Sequence, residues 1–281
     1  MVALVGSKIY VLRASDLSNI RTIALVGPSN VVHTYRGRSF PIKPRIAAME
    51  VSPQRNIVAA LWVQDLLYGR VDLYDLSNGS HIQSWNTPQG WVNFTRDLSW
   101  TPDAKSILVG IPNETPCASP GNTPDVFAFD PYTGTIQHRL TTGLLVGDVA
   151  VTTGDRVLAV DSDCLGVFKN HHPKLRVFNI VTGKRVRELR GKGTGVRYTV
   201  SCSADGSRCL AFTGRMKAEF DWGDMVPVDK VIDETFSVWD LRNYQGIVTS
   251  QNIPGLKGLR ISPNGRYAVS FGKASFVFQL P

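Results

Sequence analysis

The sequence predicts an all-β fold built from one repeated antiparallel unit, and two observations support this prediction. First, a short turn sequence recurs about 50 residues apart along most of the chain. It begins at Ser52, Thr101, Thr152, Ser203 and Ser262. Second, alternating apolar and polar residues follow each turn and end in a further turn, as strands do. Strand modules of this length are typical of β-propeller blades, so we predict a β-propeller of four-stranded antiparallel blades.

The clearest copy of the unit lies in the last third of the chain. It begins with V-S-C-S-A-D-G-S-R-C-L-A-F-T-G at 200–214 and continues with T-F-S-V-W-D-L-R-N at 235–243. Weaker copies of the third strand and its exit turn lie at 71–79, 126–134 and 177–183. Asp and Asn in such turns hydrogen-bond the backbone. We therefore expect the recurring carboxylates Asp75, Asp130 and Asp240 to be structural.

These units resemble WD40-type propeller repeats. S-P-N-G-R-Y-A-V at 262–269 and S-A-D-G-S-R-C-L-A at 203–211 match the family's first turn, and F-S-V-W-D at 236–240 matches its Trp-Asp signature. The resemblance covers nearly the whole chain. Only Trp239-Asp240 has the literal dipeptide, and no Gly-His start is present. The resemblance implies a propeller and leaves the subfamily open, including periplasmic and secreted WD40-like propellers.

We predict one propeller domain over 1–281 with six blades, and a seven-bladed or truncated propeller as the alternative. Residues 1–27 form a partial blade whose strands match the second to fourth positions, and 255–281 form a partial closing blade with the first to third. Residues 28–45 fit no unit and are assigned as a linker or an extra strand. The full blades are assigned to 46–90, 91–143, 144–195 and 196–254.

Long insertions fall at 112–124, 162–173 and 214–234, which connect the second and third strands of three successive blades. These connections share one face of a propeller. Loops on a rigid scaffold often carry binding residues, so we expect the binding site on this loop-rich face. Drift of loop length without function is the alternative. The candidate contact residues are Phe168, Lys169, His171, His172, Lys174, Trp222 and Met225.

The middle and third insertions have different chemistry. The middle one is basic and could bind a phosphate, sulfate or carboxylate. Only Phe168 is placed to stack a base, so the nucleic-acid signal is weak. In the third insertion, Trp222 and Met225 lie among acidic residues, a composition typical of a protein contact. Its acidic spacing matches no calcium loop, and we predict no metal site.

Cysteine placement bears on the cellular compartment. Cys202 and Cys209 flank the Asp-Gly turn on neighbouring strands, where a disulfide forms if the Cβ atoms lie within about 4.5 Å. Cys117 and Cys164 lie in long connections of adjacent blades. Two pairs favour an oxidising compartment, secreted or periplasmic rather than cytoplasmic. Reduced core thiols remain an alternative, as does a metal site that adds His171 and His172, although no C-x-x-C spacing supports it.

Composition and motifs narrow the function. The chain is 43% apolar with a net charge of +8, which allows an anionic partner, and no apolar window is long enough for a membrane span. G-x-S-x-G, H-E-x-x-H and P-loop motifs are absent, and no cofactor is predicted. We predict a non-catalytic scaffold that binds a protein or peptide. The alternative is a hydrolase-like or quinoprotein-like enzyme, or a small-ligand propeller, using Glu50, Arg96 and Asp97 in the central channel.

Overall fold

A computed structural model describes most of the chain. The described residues are 2–13, 15–35, 38–64, 68–90, 98–111, 125–141, 146–152, 156–161, 174–190, 197–220, 227–251, 256–262, 264–272 and 276–281. They contain strands and turns but no helix, and thus no helix long and apolar enough to cross a membrane is found among them. The strands form six antiparallel blades in a ring. The predicted six-bladed, all-β propeller is confirmed.

Each blade is a sheet whose strands pair in chain order. Blade one contains β1 (Val2–Val5), β2 (Lys8–Leu12) and β3 (Asn19–Ala24). A separate two-stranded sheet contains β4 (Val31–Tyr35) and β5 (Arg38–Ile42). Blade two contains β6 (Arg45–Val51), β7 (Ile57–Val63), β8 (Gly69–Asp75) and β9 (His81–Asn86). Blade three contains β10 (Leu98–Trp100), β11 (Ile107–Gly110), β12 (Val126–Phe129) and β13 (Ile136–Leu140).

The second half of the chain continues the pattern. Blade four contains β14 (Val146–Thr152), β15 (Arg156–Asp161), β16 (Lys174–Asn179) and β17 (Arg185–Arg190). Blade five contains β18 (Arg197–Cys202), β19 (Arg208–Phe220), β20 (Pro227–Asp240) and β21 (Gln245–Gln251). Blade six contains β22 (Leu256–Ile261), β23 (Tyr267–Gly272) and β24 (Val277–Gln279). The four blades in the middle of the chain thus have four strands, and the two terminal blades have three.

The apolar core lies between blades rather than within one sheet. Successive side chains of a strand point to opposite faces of its sheet, and β7 shows the result. Val58 and Trp62 belong to the cluster shared with blade one, whereas Ala59, Leu61 and Val63 belong to the cluster shared with blade three. Further clusters join blades three and four, four and five, and five and six. A middle blade is therefore buried on both faces.

A repeated backbone hydrogen bond fixes the strand positions in blade one. The N–H after a third strand donates to the carbonyl just before the second strand. The donor and acceptor residues are Leu25 and Ser7, Leu76 and Asn56, Leu241 and Ser207, and Leu280 and Arg266, at 2.9, 2.8, 2.7 and 2.7 Å. The strands β1 to β3 therefore hold the first to third positions, not the second to fourth that the sequence suggested. The misassignment arose because the turn after β2 resembles a third-strand exit turn.

The terminal blades leave their third strands less covered than the middle blades do. Leu73 in β8 of blade two is fully buried. By contrast, Ile20 in β3 is 58% exposed and Val277 in β24 is 69% exposed. A fourth strand pairs with β8 but not with β3 or β24 in the described sheets. The two ends of the chain are therefore packed more loosely than its middle.

The exit turn of one blade packs against the outer strand of the blade before it. Gly134 has a φ of +69°, and a Cβ at this position would lie 2.5 Å from Cβ of Trp85 in β9. The Trp85 indole Nε1–H donates to the carbonyl of Pro131 at 3.2 Å. Gly183 holds the equivalent turn position in blade four with a φ of +66°, but among the described residues no atom beyond its chain neighbours lies within 4 Å of its Cβ position.

This pair of glycines separates backbone strain from steric fit. Gly183→Ala introduces only the left-handed strain of about 1–2 kcal/mol, whereas Gly134→Ala adds overpacking against Trp85, about 1–3 kcal/mol more. We expect urea denaturation to show a larger loss of unfolding free energy for Gly134→Ala than for Gly183→Ala. Equal losses of unfolding free energy would mean that the Trp85 side chain moves to accommodate the added Cβ at no cost.

The recurring turn carboxylates accept hydrogen bonds from the turn backbone, as predicted. Asp130 Oδ1 accepts from the N–H groups of Tyr132 and Thr133, both at 2.9 Å. Asp75 accepts from the N–H of Ser77 at 2.6 Å, and Asp240 accepts from the N–H of Arg242 at 2.8 Å. The structural role of these residues is confirmed.

Asp205 lies in the turn between β18 and β19 and accepts hydrogen bonds from the Ser203 hydroxyl at 2.6 Å and the Ser207 N–H at 3.0 Å. These two bonds make the stability pH-dependent. The Ser203 hydroxyl and then the Ser207 N–H hold the pKa of Asp205 below its usual value, because hydrogen bonds favour the charged form. The stabilisation is therefore complete above the unfolded pKa of about 3.9 and is lost as the pH falls through the lower folded pKa. We expect Asp205→Asn to lose less unfolding free energy than the wild type between about pH 5 and about pH 2, measured by denaturant titration. If the unfolding free energies of the two proteins fell in parallel with pH, this expectation would be wrong.

Candidate functional site

The loop-rich face is the first candidate region, and most of its predicted contact residues lie outside the described residues. These are Phe168, Lys169, His171, His172, Trp222 and Met225, together with Cys117 and Cys164. Lys174 is described at backbone level and pairs with Arg190 where β16 and β17 meet this face. The binding assignment of these residues stays a prediction.

The third insertion is a β-ribbon and not an irregular loop. The strands β19 and β20 continue past the blade and stay paired from Arg215 opposite Ile232 to Phe220 opposite Pro227. We call residues 215–220 and 227–232 the blade-five ribbon. The β-branched residues in V-P-V-D-K-V-I-D at 226–233 were the sequence signal for these strands. It was missed because the turn residues and acidic side chains suggested a loop.

The blade-five ribbon stands apart from the rest of its sheet. The pairing of β18 with β19 ends at Gly214, and that of β21 with β20 begins at Thr235. A register shift between Thr213 and Arg215 marks the boundary, and such bulges bend a strand. Six register pairs at about 3.4 Å per residue give a projection of roughly 17 to 20 Å. Both long edges of the ribbon lack a pairing strand among the described residues.

The central channel is the second candidate region. It holds a cavity of about 490 Å³ lined by residues 49–51, 98–100, 149–151, 200–204 and 260–261. These segments belong to the first strands, and the turns after them, in blades two to six. Glu50, one of the predicted channel residues, lines the cavity, whereas Arg96 and Asp97 lie outside the described residues.

From blade two to blade six, polar side chains of the first strands connect each blade to the next. In each case a side-chain oxygen accepts the backbone N–H of the following first strand. The pairs are Glu50 with Trp100, Ser99 with Val151, Asp148 with Val200 and Ser201 with Ile261, at 2.8, 3.2, 2.7 and 3.2 Å. We call these four contacts the blade latches. The accepting residue of each latch is a polar residue inside an apolar strand, which is a weak sequence signal. Its partner lies about one repeat, roughly 50 residues, further along the chain, so the sequence does not identify the pair.

Asp148 has the most connected position among the latches. Its side chain is 1% exposed, and its Oδ2 lies 3.9 Å from Nη1 of Arg260 in blade six. The same Nη1 donates to the carbonyl of Val200 at 3.0 Å. Three consecutive blades therefore meet at one buried carboxylate. Glu50 and Asp148 each accept a backbone N–H of the next blade. Their carboxylates therefore have a structural role in addition to any contact with a ligand in the cavity.

The Asp148 latch yields a stability prediction. Asp148→Ala leaves the buried Val200 N–H without this acceptor, which costs about 1–3 kcal/mol. Asp148→Asn keeps an oxygen there and is expected to lose less. Denaturant unfolding of both variants measures the difference. An alanine variant as stable as the wild type would show that the latch does not hold the blades together.

Cys202 and Cys209 are direct register partners on β18 and β19, as their spacing around the turn predicted. Both are free thiols in this structure. Cys209 is fully buried, and burial, with a hydrogen bond to Cys202, raises the pKa of its thiol well above the usual value. Their disulfide stays a prediction. Among the described residues no group of three or more His, Cys, Asp or Glu is arranged to hold a metal ion.

Comparisons with known proteins support the fold. No protein-family model matches the chain, and no curated protein matches it by sequence. Its structure is similar to Kuenenia stuttgartiensis hydrazine synthase, with a TM-score of 0.65 and 13% identity over 98% of this chain and 71% of that one. A chain of the mitotic checkpoint complex gives 0.53 and 12% over 100% and 87%, and the Dos1 propeller gives 0.54 and 13% over 85% and 56%. At these identities the similarity shows the β-propeller fold alone.

Proposed function

We propose that this protein is a non-catalytic, WD40-like scaffold that binds a protein or peptide partner through its loop-rich face. The blade-five ribbon is the main contact element in this proposal. The family assignment rests on the repeat turns and on Trp239-Asp240, and the binding assignment rests on the ribbon. Phe168, Lys169, His171, His172, Lys174, Trp222 and Met225 are the proposed further contacts.

The ribbon supports this proposal through its geometry. An isolated two-stranded ribbon is marginally stable in water, yet this one continues for six pairs from a buried sheet. Its two open edges can accept an extended partner strand through backbone hydrogen bonds. The predicted contact residues Trp222 and Met225 belong to the segment that joins its strands.

Two of the similar structures are compatible with a binding role. One comes from a mitotic checkpoint complex and another is the Dos1 propeller. The hydrazine synthase is by its name an enzyme and does not decide between the hypotheses. The alternative, a small-ligand or enzyme propeller, has one observation in its favour, because a cavity of about 490 Å³ contains the charged residues Glu50 and Arg260 and lies in the size range of ligand pockets.

The test removes the ribbon and leaves the blade intact. Replacing residues 216–231 by Asn-Gly joins Arg215 to Ile232, which are already register partners, through a favoured two-residue hairpin turn. We expect cooperative thermal unfolding to persist, because the blade pairing is untouched. Proteins captured by the immobilised wild type and identified by mass spectrometry are expected to be lost with the shortened variant.

A matched control addresses the opposite face. Lys105 lies in the tight turn between β10 and β11, and its side chain is 78% exposed. Lys105→Ala removes a charge there without touching the ribbon, so it is expected to capture the same proteins as the wild type. Full capture by the shortened variant would refute the ribbon as the contact element.

A further inference from the structure

The backbone geometry around Cys202 and Cys209 is suited to a bond between their sulfurs. The next pair toward the turn is hydrogen-bonded, since the Ser203 N–H donates to the Arg208 carbonyl at 3.0 Å. Hydrogen-bonded and non-hydrogen-bonded pairs alternate along an antiparallel ladder, so Cys202 and Cys209 form a non-hydrogen-bonded pair. Cα atoms of such pairs lie about 4.5 Å apart, which is inside the range of about 4.4 to 6.8 Å that disulfides span.

The two thiols differ in their access to solvent. Cys209 is fully buried and packs in the cluster between blades four and five. Cys202 is partly exposed and lines the central cavity, together with Ser201 and Arg260. A reagent in the cavity therefore meets the sulfur of Cys202 before that of Cys209.

We propose that Cys202 and Cys209 form a reversible dithiol–disulfide pair, which exchanges with a small-molecule disulfide through the central cavity and reacts first at Cys202. The site is separate from the blade-five ribbon. In this pair Cys202 is the entry thiol, Cys209 is the resolving thiol, and the oxidant is a small-molecule disulfide.

The chemistry is a two-step exchange. The Cys202 thiolate attacks one sulfur of the small disulfide, which forms a mixed disulfide and releases the first small thiolate. The Cys209 thiolate then attacks the Cys202 sulfur, which closes the protein disulfide and releases the second. Two electrons pass from the protein sulfurs to the small disulfide, and the two thiol protons end on the released thiols. Burial raises the pKa of Cys209, which disfavours it as the first attacking thiol, because thiolates and not thiols attack. Its attack in the second step is intramolecular, on the sulfur of its register partner Cys202, so proximity offsets its low thiolate fraction.

The position of the pair gives the exchange a structural consequence. The disulfide would tie β18 to β19 beside two blade latches, those of Val200 and Ser201. It would also lock the strand that continues into the blade-five ribbon. Oxidation is therefore expected to slow opening of the first two strands of blade five.

The test uses glutathione disulfide as the probe. All proteins carry Cys117→Ser and Cys164→Ser, so that only the proposed pair can react. After incubation of the reduced, folded parent protein, we expect peptide mapping to find a Cys202–Cys209 disulfide and no lasting glutathione adduct. Cys209→Ser is expected to trap one glutathione on Cys202. Cys202→Ser is expected to react at least about tenfold more slowly, since the remaining thiol is buried.

The parent protein alone can overturn the proposal, even if a variant fails to fold. A stable mixed disulfide in the folded parent would contradict resolution by Cys209, and no reaction over a day would contradict the exchange itself. Equal rates for the two single variants would contradict entry through Cys202. Circular dichroism of each protein before the reaction verifies that the thiols are tested in the folded state.

Discussion

The fold depends on the need to cover both faces of every blade. A strand such as β7 carries apolar side chains on both faces, so its sheet is stable only between two neighbours. The blade latches add a polar counterpart to this stacking. They satisfy backbone N–H groups that the channel wall would otherwise bury, and they do so with a side chain from the preceding blade. From blade two to blade six, stacking and the latches together fix each blade relative to the next.

This rigid base explains how a projecting element can exist. The blade-five ribbon begins where β18 and β21 stop pairing, and the strands beneath it are held on both sides by blades four and six. The bulge at Thr213 and Arg215 redirects the ribbon without disturbing the blade. Binding residues on such an element gain reach, and the scaffold keeps its apolar faces covered.

The sequence predicted the features that depend on local chemistry. The turn carboxylates and the six-bladed ring followed from the repeat, because Asp130 and its equivalents act within a few residues of themselves. Features that depend on a neighbouring blade were not predictable. Asp148 looked like an isolated polar residue, since its partner Val200 is distant in sequence, and the strand positions of blade one required the bond from Leu25 to Ser7.

The ribbon shows a different limit. Its second strand is rich in β-branched residues, as strands are, but an insertion with acidic side chains and turn residues also fits a loop. Only backbone pairing distinguishes a ribbon from a loop, and pairing depends on both segments and not on the pattern of either one. The contacts expected at Phe168, His172 and Trp222 depend on the same kind of long-range information.

Because the third strands are unevenly covered, local opening of the propeller is expected to begin at the terminal blades. The strands β8 and β12 pair with a fourth strand and lie between two blades, so we expect their amides to exchange with solvent more slowly than those of the terminal blades. Within the described part of the chain, no fourth strand pairs with β3 or β24, and Ile20 and Val277 already contact water. Local opening costs less free energy where fewer contacts break. The propeller therefore loosens from its chain ends inward, and its middle blades are the last to lose order.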